Sequence, residues 1–273
     1  MSQQFVLING EIVPKESATI GITDLSIQRG FGIFDFFKTI AGEPVLLEDH
    51  LDRLYDSAKE MMISLPFTRE SLKGSIRDLM HKNLLPDSGI RITVTGGYAA
   101  DGYSPATPNV LVTQSEFKYN NENFDKGCRL VTYEHQRQLP MVKTIDYLQA
   151  IRLQGYIKEK QADDVLYLGK SGVAECPRCN FFMVNRQNQV LTPKHNVLYG
   201  ITRKQLLKME GFDIIERNIE PEELLEIKEA FITSTTKMIL PVMAINGIRI
   251  GEGKPGPITK DCWRQLLLQQ GLE

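Results

Sequence analysis

Apolar and polar residues alternate at the start of the chain and then change period. Phe5-Val-Leu-Ile8 and Glu11-Ile-Val13 flank Asn9-Gly10, a pair that tolerates positive φ, and this predicts a tight β-hairpin. From Leu51 the spacing lengthens to three and four, so Leu51, Leu54, Ala58 and Met61 predict a helix. A second helix is predicted over 68–83, with Leu72, Ile76 and Leu79 on one face. Thr68 and Ser71 are both suited to cap it. Strand patterns follow at 90–95 and 110–113, around a loop, 96–109, rich in Gly, Tyr, Ala and Pro. The polar stretch 119–126 reads as a linker between a smaller N-terminal α/β domain, 1–118, and a larger C-terminal domain, 127–273. In the second half strands are predicted at 128–134, 164–169, 181–185, 213–219 and 229–234. Helices are predicted at 146–160, 202–209, 221–227 and 257–270, and Asn246-Gly247 marks a second hairpin. Hairpins mixed with helices imply an α+β fold rather than a doubly wound parallel sheet.

Composition narrows the function without choosing it. A chain of 273 residues buries enough surface to fold without disulfides or metals, as one large or two modest domains. With 42% apolar and 24% charged residues, disorder and collagen-like structure are excluded. Lys+Arg 32 against Asp+Glu 34 leaves a net charge of −2, which argues against a dedicated nucleic-acid binder. Apolar runs such as 238–245 fall short of the ~18 residues a membrane helix needs. The N-terminus has no basic head, apolar core or cleavage site of a signal peptide. Four cysteines are too sparse for a disulfide scaffold, so a reducing cytoplasm is expected.

Several short motifs carry candidate chemistry. Cys176-Pro-Arg-Cys179 could be a redox pair or half a zinc site, but no second ligand pair accompanies it, and two small residues in a turn is the preferred reading. Gly200-Ile-Thr-Arg203 feeds a helix start, whose free amides and positive dipole end suit a phosphate. Thr233-Ser-Thr-Thr236 follows a strand and could add donors to the same anion. Lys143, among apolar neighbours, could become a nucleophile by losing its charge. Glu175 stands on a buried strand end and needs a cationic partner, which a protonated pyridine nitrogen or an arginine would supply.

Their joint order carries a resemblance. Arg29-Gly-Phe-Gly-Ile-Phe-Asp35, His50-Leu-Asp-Arg53, Lys143-Thr-Ile-Asp-Tyr-Leu148, Glu175 with Asn180-Phe-Phe182, Leu191-Thr-Pro193, Gly200-Ile-Thr-Arg203 and Thr233-Ser-Thr-Thr236 with Pro241-Val242 follow one another along nearly the whole chain. Together they resemble the class IV aminotransferases, two-domain pyridoxal-phosphate enzymes of fold type IV. That group includes D-amino-acid aminotransferases, branched-chain aminotransferases and aminodeoxychorismate lyase.

The resemblance implies pyridoxal 5'-phosphate as cofactor, held by the C-terminal domain, and amino-acid and 2-oxo-acid substrates. Lys143 would bond to the cofactor aldehyde and shuttle the substrate α-proton. Glu175 would keep the pyridine nitrogen protonated. Arg53, the amides of Ile201 and Thr202, Ser234 and Thr235 would hold the phosphate, and Tyr147 would contact the ring hydroxyl. There are departures: Pro177 replaces a small residue, Asp146 stands where asparagine is common, and the loop 192–200 is a residue or two short.

The Arg-x-His carboxylate trap of bacterial D-amino-acid aminotransferases is replaced by Asp101 and Tyr103. The branched-chain pattern after Phe-Glu is broken by Phe34-Asp-Phe-Phe-Lys38. Arg29 and Arg91 are therefore expected to clamp the substrate carboxylate, beside Phe34 and Phe36. A D-amino-acid aminotransferase is expected, ahead of an L-branched-chain enzyme, the lyase, and a cofactor-free binding protein. Related enzymes complete their sites with a neighbouring subunit, so a homodimer is expected, with neither nucleic acid nor membrane as a partner.

Overall fold

Asn9 and Gly10, at φ of 51° and 91°, close the hairpin between β1 (Phe5–Ile8) and β2 (Glu11–Pro14), as the dipeptide predicts. The computed structural model describes residues 4–272, and the chain divides into two units. The first comprises Met1–Lys118 together with Val142–Asp146; the second comprises Tyr119–Met141 and Tyr147–Glu273.

In the first unit a short helix, α1 (Leu25–Arg29), leads into β3 (Gly32–Ile40) and β4 (Glu43–Pro44). Then come α2 (Leu47–Glu60), α3 (Arg69–Asn83), β5 (Ser88–Thr95) and β6 (Val110–Glu116). The strands form one antiparallel sheet in the order β2-β1-β6-β5-β3-β4. Leu51, Leu54 and Ala58 of α2 and Leu72, Ile76 and Leu79 of α3 share a core with Ile33 and Phe37 of β3. Thr68 is the cap of α3, its hydroxyl accepting from the Ser71 amide at 3.2 Å. β3 is not among the predicted strands. Seven of its nine residues are buried, so it shows no alternation for a period to reveal.

Lys38 lies in this strand and is only 1% exposed. Burial pushes its ammonium down to about 8, from an ordinary 10.5. Below about pH 8 the folded protein carries the buried charge. Between there and 10.5 the unfolded chain holds the proton that the folded one has released, so stability rises with pH across that window. Urea denaturation at pH 7.5 and pH 10 should show this rise in the wild type and lose it in Lys38→Met. Equal pH slopes in the two proteins would exclude Lys38 as its source.

The second unit holds α4 (Glu122–Lys126), β7 (Cys128–Glu134), α5 (Leu148–Arg152), α6 (Gln154–Glu159), β8 (Asp164–Gly169) and β9 (Gly172–Val173). It continues with β10 (Glu175–Cys176), β11 (Cys179–Val184), β12 (Val190–Pro193), α7 (Ile201–Leu207) and β13 (Ile214–Arg217). It ends with β14 (Glu229–Ser234), β15 (Met238–Ile245), β16 (Ile248–Arg249) and α8 (Pro257–Gln269). The sheet runs β13-β12-β11-β14-β15-β7-β8-β9, with β10 on β11 and β16 on β15. Three pairings, β12–β13, β15–β7 and β7–β8, are parallel and the rest antiparallel, giving the mixed α+β content expected. Both faces are covered: along β11, Phe181 and Met183 enter one core and Phe182 and Val184 another.

Several boundaries differ from those expected. The 119–126 stretch is not a linker: α4 buries Phe124, whose ring stacks on Trp263 at 4.1 Å, and Tyr119 accepts from the Trp263 indole at 2.9 Å. Residues 142–146 go with the first unit rather than the C-terminal one. The predicted helix 146–160 is two short helices, and both Asp146 and Tyr147 lie outside them. The segment 221–227 is a 3-10 helix, Pro221–Glu226, with a capping box between Glu220 and Glu223. Cys176 and Cys179 face each other across a two-residue turn, and all four cysteines are buried and unbridged. No described helix is long and apolar enough to cross a membrane.

Candidate functional site

In the first unit the candidates gather around β3. Successive side chains of a strand point to opposite faces, so Phe34 and Phe36 share one face while Ile33, Asp35 and Phe37 share the other. On the second face Asp35 is fully buried. It takes a bidentate grip from Arg53, Nε to Oδ2 at 2.8 Å and Nη2 to Oδ1 at 2.9 Å. His50 Nδ1 stands 2.7 Å from Oδ1. Burial would raise the Asp35 carboxyl, but the charge of Arg53 and the hydrogen bonds from His50 and Arg53 outweigh it and hold the group far below the usual range. Burial also lowers His50, against the pull of Asp35, so the ring is neutral at pH 7 and donates Nδ1–H to the carboxylate. The Arg53 side chain is 11% exposed, and its remaining nitrogen, Nη1, has no acceptor among the described residues.

Lys143 is placed by backbone pairing rather than by a helix or strand of its own. The Phe34 amide donates to the Lys143 carbonyl at 2.9 Å and the Ile145 amide to the Gly32 carbonyl at 3.0 Å, with Thr144 bridged to Ile33. The Ser57 hydroxyl accepts from the Lys143 amide at 3.3 Å. Its Nζ lies 4.6 Å from the centre of the Phe34 ring, and the Arg91 guanidinium lies 3.7 Å from the same centre. Arg91 is opposite Phe36 in the β3–β5 ladder, and its Nε donates to Thr93 Oγ1 at 3.3 Å. Arg29 does not join this group. It is exposed in the last turn of α1 and donates to the Gln28 carbonyl at 3.1 Å. Asp101 is spent on its own loop, accepting from Tyr103 N, Ser104 N and Ser104 Oγ at 2.9, 2.8 and 2.6 Å.

The second unit assembles the other candidates. Glu175 pairs in register with Asn180 and is 4% exposed. Its Oε1 accepts from Arg137 Nη1 at 2.7 Å, and its Oε2 from the Leu198 amide at 3.0 Å. The cationic partner that a buried carboxylate requires is therefore Arg137, which the motif reading left out. An arginine near a buried acid, six residues before Lys143, was the available signal. Asn180 Nδ2 also holds the Leu198 carbonyl at 2.6 Å. Gly200 caps α7 without a side chain, and a Cβ there would collide with Asn180 Oδ1. The first amides of α7, those of Ile201 and Thr202, have no intrahelical acceptor.

At the end of β14 the Thr233 hydroxyl is buried without a hydrogen-bond partner among the described residues. Ser234 Oγ accepts from Lys237 N at 3.1 Å, and Thr235 is half-buried in the turn that follows. Arg203 is buried and ties α7 down by donating to the Pro193 carbonyl at 2.9 Å and to Glu216 at 2.6 Å. Tyr147 is half-buried just before α5, so it is not a core residue of a helix. Within the second unit, an orphaned buried hydroxyl at Thr233, a glycine-lined helix start at Gly200 and a buried carboxylate at Glu175 fit a phosphorylated cofactor with a cationic ring nitrogen.

Comparison with known proteins places these residues in a family context. The family model "Amino-transferase class IV" matches residues 32–245. The D-alanine aminotransferase of Bacillus licheniformis is 30% identical over 98% of this chain and 96% of its own length. A putative branched-chain-amino-acid aminotransferase of Methanocaldococcus jannaschii is 30% identical over 93% of this chain and 92% of its own. Among solved structures, the branched-chain aminotransferase of Thermoproteus uzoniensis with norvaline superposes with a TM-score of 0.87 at 26% identity, covering 100% of this chain and 96% of that one. The Escherichia coli branched-chain amino acid aminotransferase gives a TM-score of 0.90 at 24% identity, covering 99% of this chain and 95% of that one, and shows the same fold.

Proposed function

This chain belongs to the class IV aminotransferases, and on that premise we propose that it moves an amino group from a D-amino acid to a 2-oxo acid with pyridoxal 5'-phosphate. The cofactor, when bound, supplies an electron sink for the carbanion formed at the substrate α-carbon. Lys143 would hold the cofactor through its aldehyde, and its amine would move the substrate α-proton. Glu175 would accept from the ring nitrogen, and Tyr147 would meet the ring hydroxyl. Arg53, the amides of Ile201 and Thr202, and the hydroxyls of Ser234 and Thr235 would hold the phosphate.

The observation that carries the substrate reading is the Phe34 ring with Lys143 Nζ and Arg91 against it. An α-amino acid has its amine and carboxylate on one carbon. A lysine and an arginine packed against one aromatic ring offer a partner for each. Arg91 thus takes the carboxylate in place of an Arg-x-His pair, since Asp101 is committed to its loop. Phe34 and Phe36 form the apolar side of this site. Arg29 is exposed, and so are Ile22 and Ile27 in the same stretch of chain, apolar side chains that a second copy of the chain would cover. In that homodimer Arg29 of the partner subunit completes the carboxylate clamp.

The test is a half-reaction screen of the loaded protein, following the cofactor's visible band, with light scattering to read the mass of a two-chain particle. D-Alanine or D-glutamate should bleach the band and L-leucine should not. Arg91→Ala should raise the required D-alanine concentration about 10- to 100-fold, as expected for loss of a charged hydrogen-bond pair. Bleaching by L-leucine or L-isoleucine alone would sink the D-specific reading and promote a branched-chain one. A band that no amino acid bleaches, with pyruvate released from aminodeoxychorismate, would select the lyase.

A further inference from the structure

Arg137 has no part in the roles assigned above, yet its guanidinium is bonded directly to the Glu175 carboxylate. The arginine side chain is 19% exposed and the glutamate's 5%. Nη1 also donates to the Pro140 carbonyl at 3.1 Å, and Nη2 reaches the Leu139 carbonyl at 3.5 Å. One rigid fork thus binds the Glu175 carboxylate and the backbone that runs, three residues later, into Lys143. The second carboxylate oxygen is fixed by the Leu198 amide and, more loosely, by Asn180 Nδ2 at 3.5 Å. The plane of the carboxylate is therefore set from both sides before any ligand arrives.

We propose that Arg137 is a positioning residue that orients Glu175 and, as a second fixed cation on the same carboxylate, sets how tightly the bound cofactor keeps its protons. This rests on the reading of Glu175 as the partner of the ring nitrogen. On that reading Glu175 faces two cations, one permanent and one that can lose its proton. A fixed positive charge beside a titrating group favours its deprotonated form. Removing the Arg137 charge while leaving Glu175 must then raise the pH at which the cofactor's visible band titrates.

The other titratable groups around the pair do not reverse this. Burial and the charge of Asp164 push the Tyr167 phenol up, and burial pushes the Cys176 thiol well up, so both stay neutral through the working range. His135 stands edge-on to Tyr167 at 4.8 Å. Asp164 and His135 are common to wild type and variants and cancel in the difference.

The experiment titrates apo-protein with pyridoxal 5'-phosphate and then follows the visible band against pH in wild type, Arg137→Gln and Arg137→Lys. Arg137→Gln should bind the cofactor about tenfold more weakly, the scale of one charged hydrogen bond. Its band midpoint should rise by roughly half a pH unit or more. Arg137→Lys keeps the charge and loses the fork, so it should show weakened binding with a midpoint near that of the wild type. Wild-type affinity and midpoint in Arg137→Gln would overturn the proposal, as would equal midpoint shifts in both variants. If Arg137→Gln does not fold, wild-type affinity in Arg137→Lys overturns it alone. A wild type that gains no visible band would instead remove the Glu175 reading, and the proposal with it.

Discussion

Replacement of Lys143 by alanine is expected to lower the rate of the amino-acid half-reaction by about 10⁴-fold or more, because on the proposed function the variant loses both the covalent attachment point and the proton shuttle. The lysine is delivered by a segment without regular structure of its own, held along β3 by backbone hydrogen bonds that do not involve its side chain. Its side chain is only half-buried, so the fold should survive its removal with a change within ~1 kcal/mol. Borohydride treatment followed by peptide mass analysis should fix the cofactor on the peptide containing residue 143 in the wild type and leave the variant unlabelled. Lys143→Arg keeps a charge against the Phe34 ring but cannot bond to an aldehyde in the same way, and it should be equally inactive. More than a few per cent of wild-type turnover in either variant would remove Lys143 from the chemistry.

Asp35→Asn is expected to have the largest effect on stability. The carboxylate is fully buried and holds Arg53 with two hydrogen bonds and His50 with a third. The amide keeps the shape but strands the Arg53 charge, a loss of about 3–5 kcal/mol in buried pairs. That is a large part of a typical total of ~5–15 kcal/mol. Because the Asp35 carboxyl is held below its unfolded value, its contribution is complete above the ordinary carboxylate range and is lost as pH falls through and below it. Wild-type stability should therefore drop between about pH 4 and lower values more steeply than that of Asp35→Asn. Urea midpoints at pH 7 and pH 3.5 measure both effects. A variant within 1 kcal/mol of wild type at pH 7 would show that Arg53 finds another partner. Since Asp35 orients Arg53, the same variant should also bind inorganic phosphate and the cofactor less well.

Features governed by neighbouring residues were legible in the chain. Asn9-Gly10 and Asn246-Gly247 announce their hairpins because positive φ at two successive positions selects those residue types. The faces of α2 and α3 follow from the spacing of Leu51, Leu54, Ala58, Leu72, Ile76 and Leu79, every one of them buried. The ordered motifs named a family that the family-level match over 32–245 establishes. Lys143, Arg53 and Glu175 could be picked out on the same ground, as residue types in order.

Other features belong to pairs of residues far apart in the chain, and no local pattern encodes them. β3 escaped notice because covering both its faces erases the two-residue period. The α8 helix begins at a glycine with no cap of its own, and it is capped from afar by Glu229, which accepts from the Ile258 and Thr259 amides at 3.2 and 2.8 Å. Phe124 turned an apparent linker into part of a core because it joins distant Phe182, Phe231 and Leu266 there and stacks on Trp263. The charge partners of the candidate residues, Asp35 for Arg53 in the first unit and Arg137 for Glu175 in the second, were decided the same way. Local sequence determined the turns, the helix faces and the inventory of reactive residues, because backbone preference and side-chain periodicity act over a few residues. Tertiary structure alone decided which charges meet and where Lys143 is held, because burying a charge requires a partner that folding brings from a distant part of the chain.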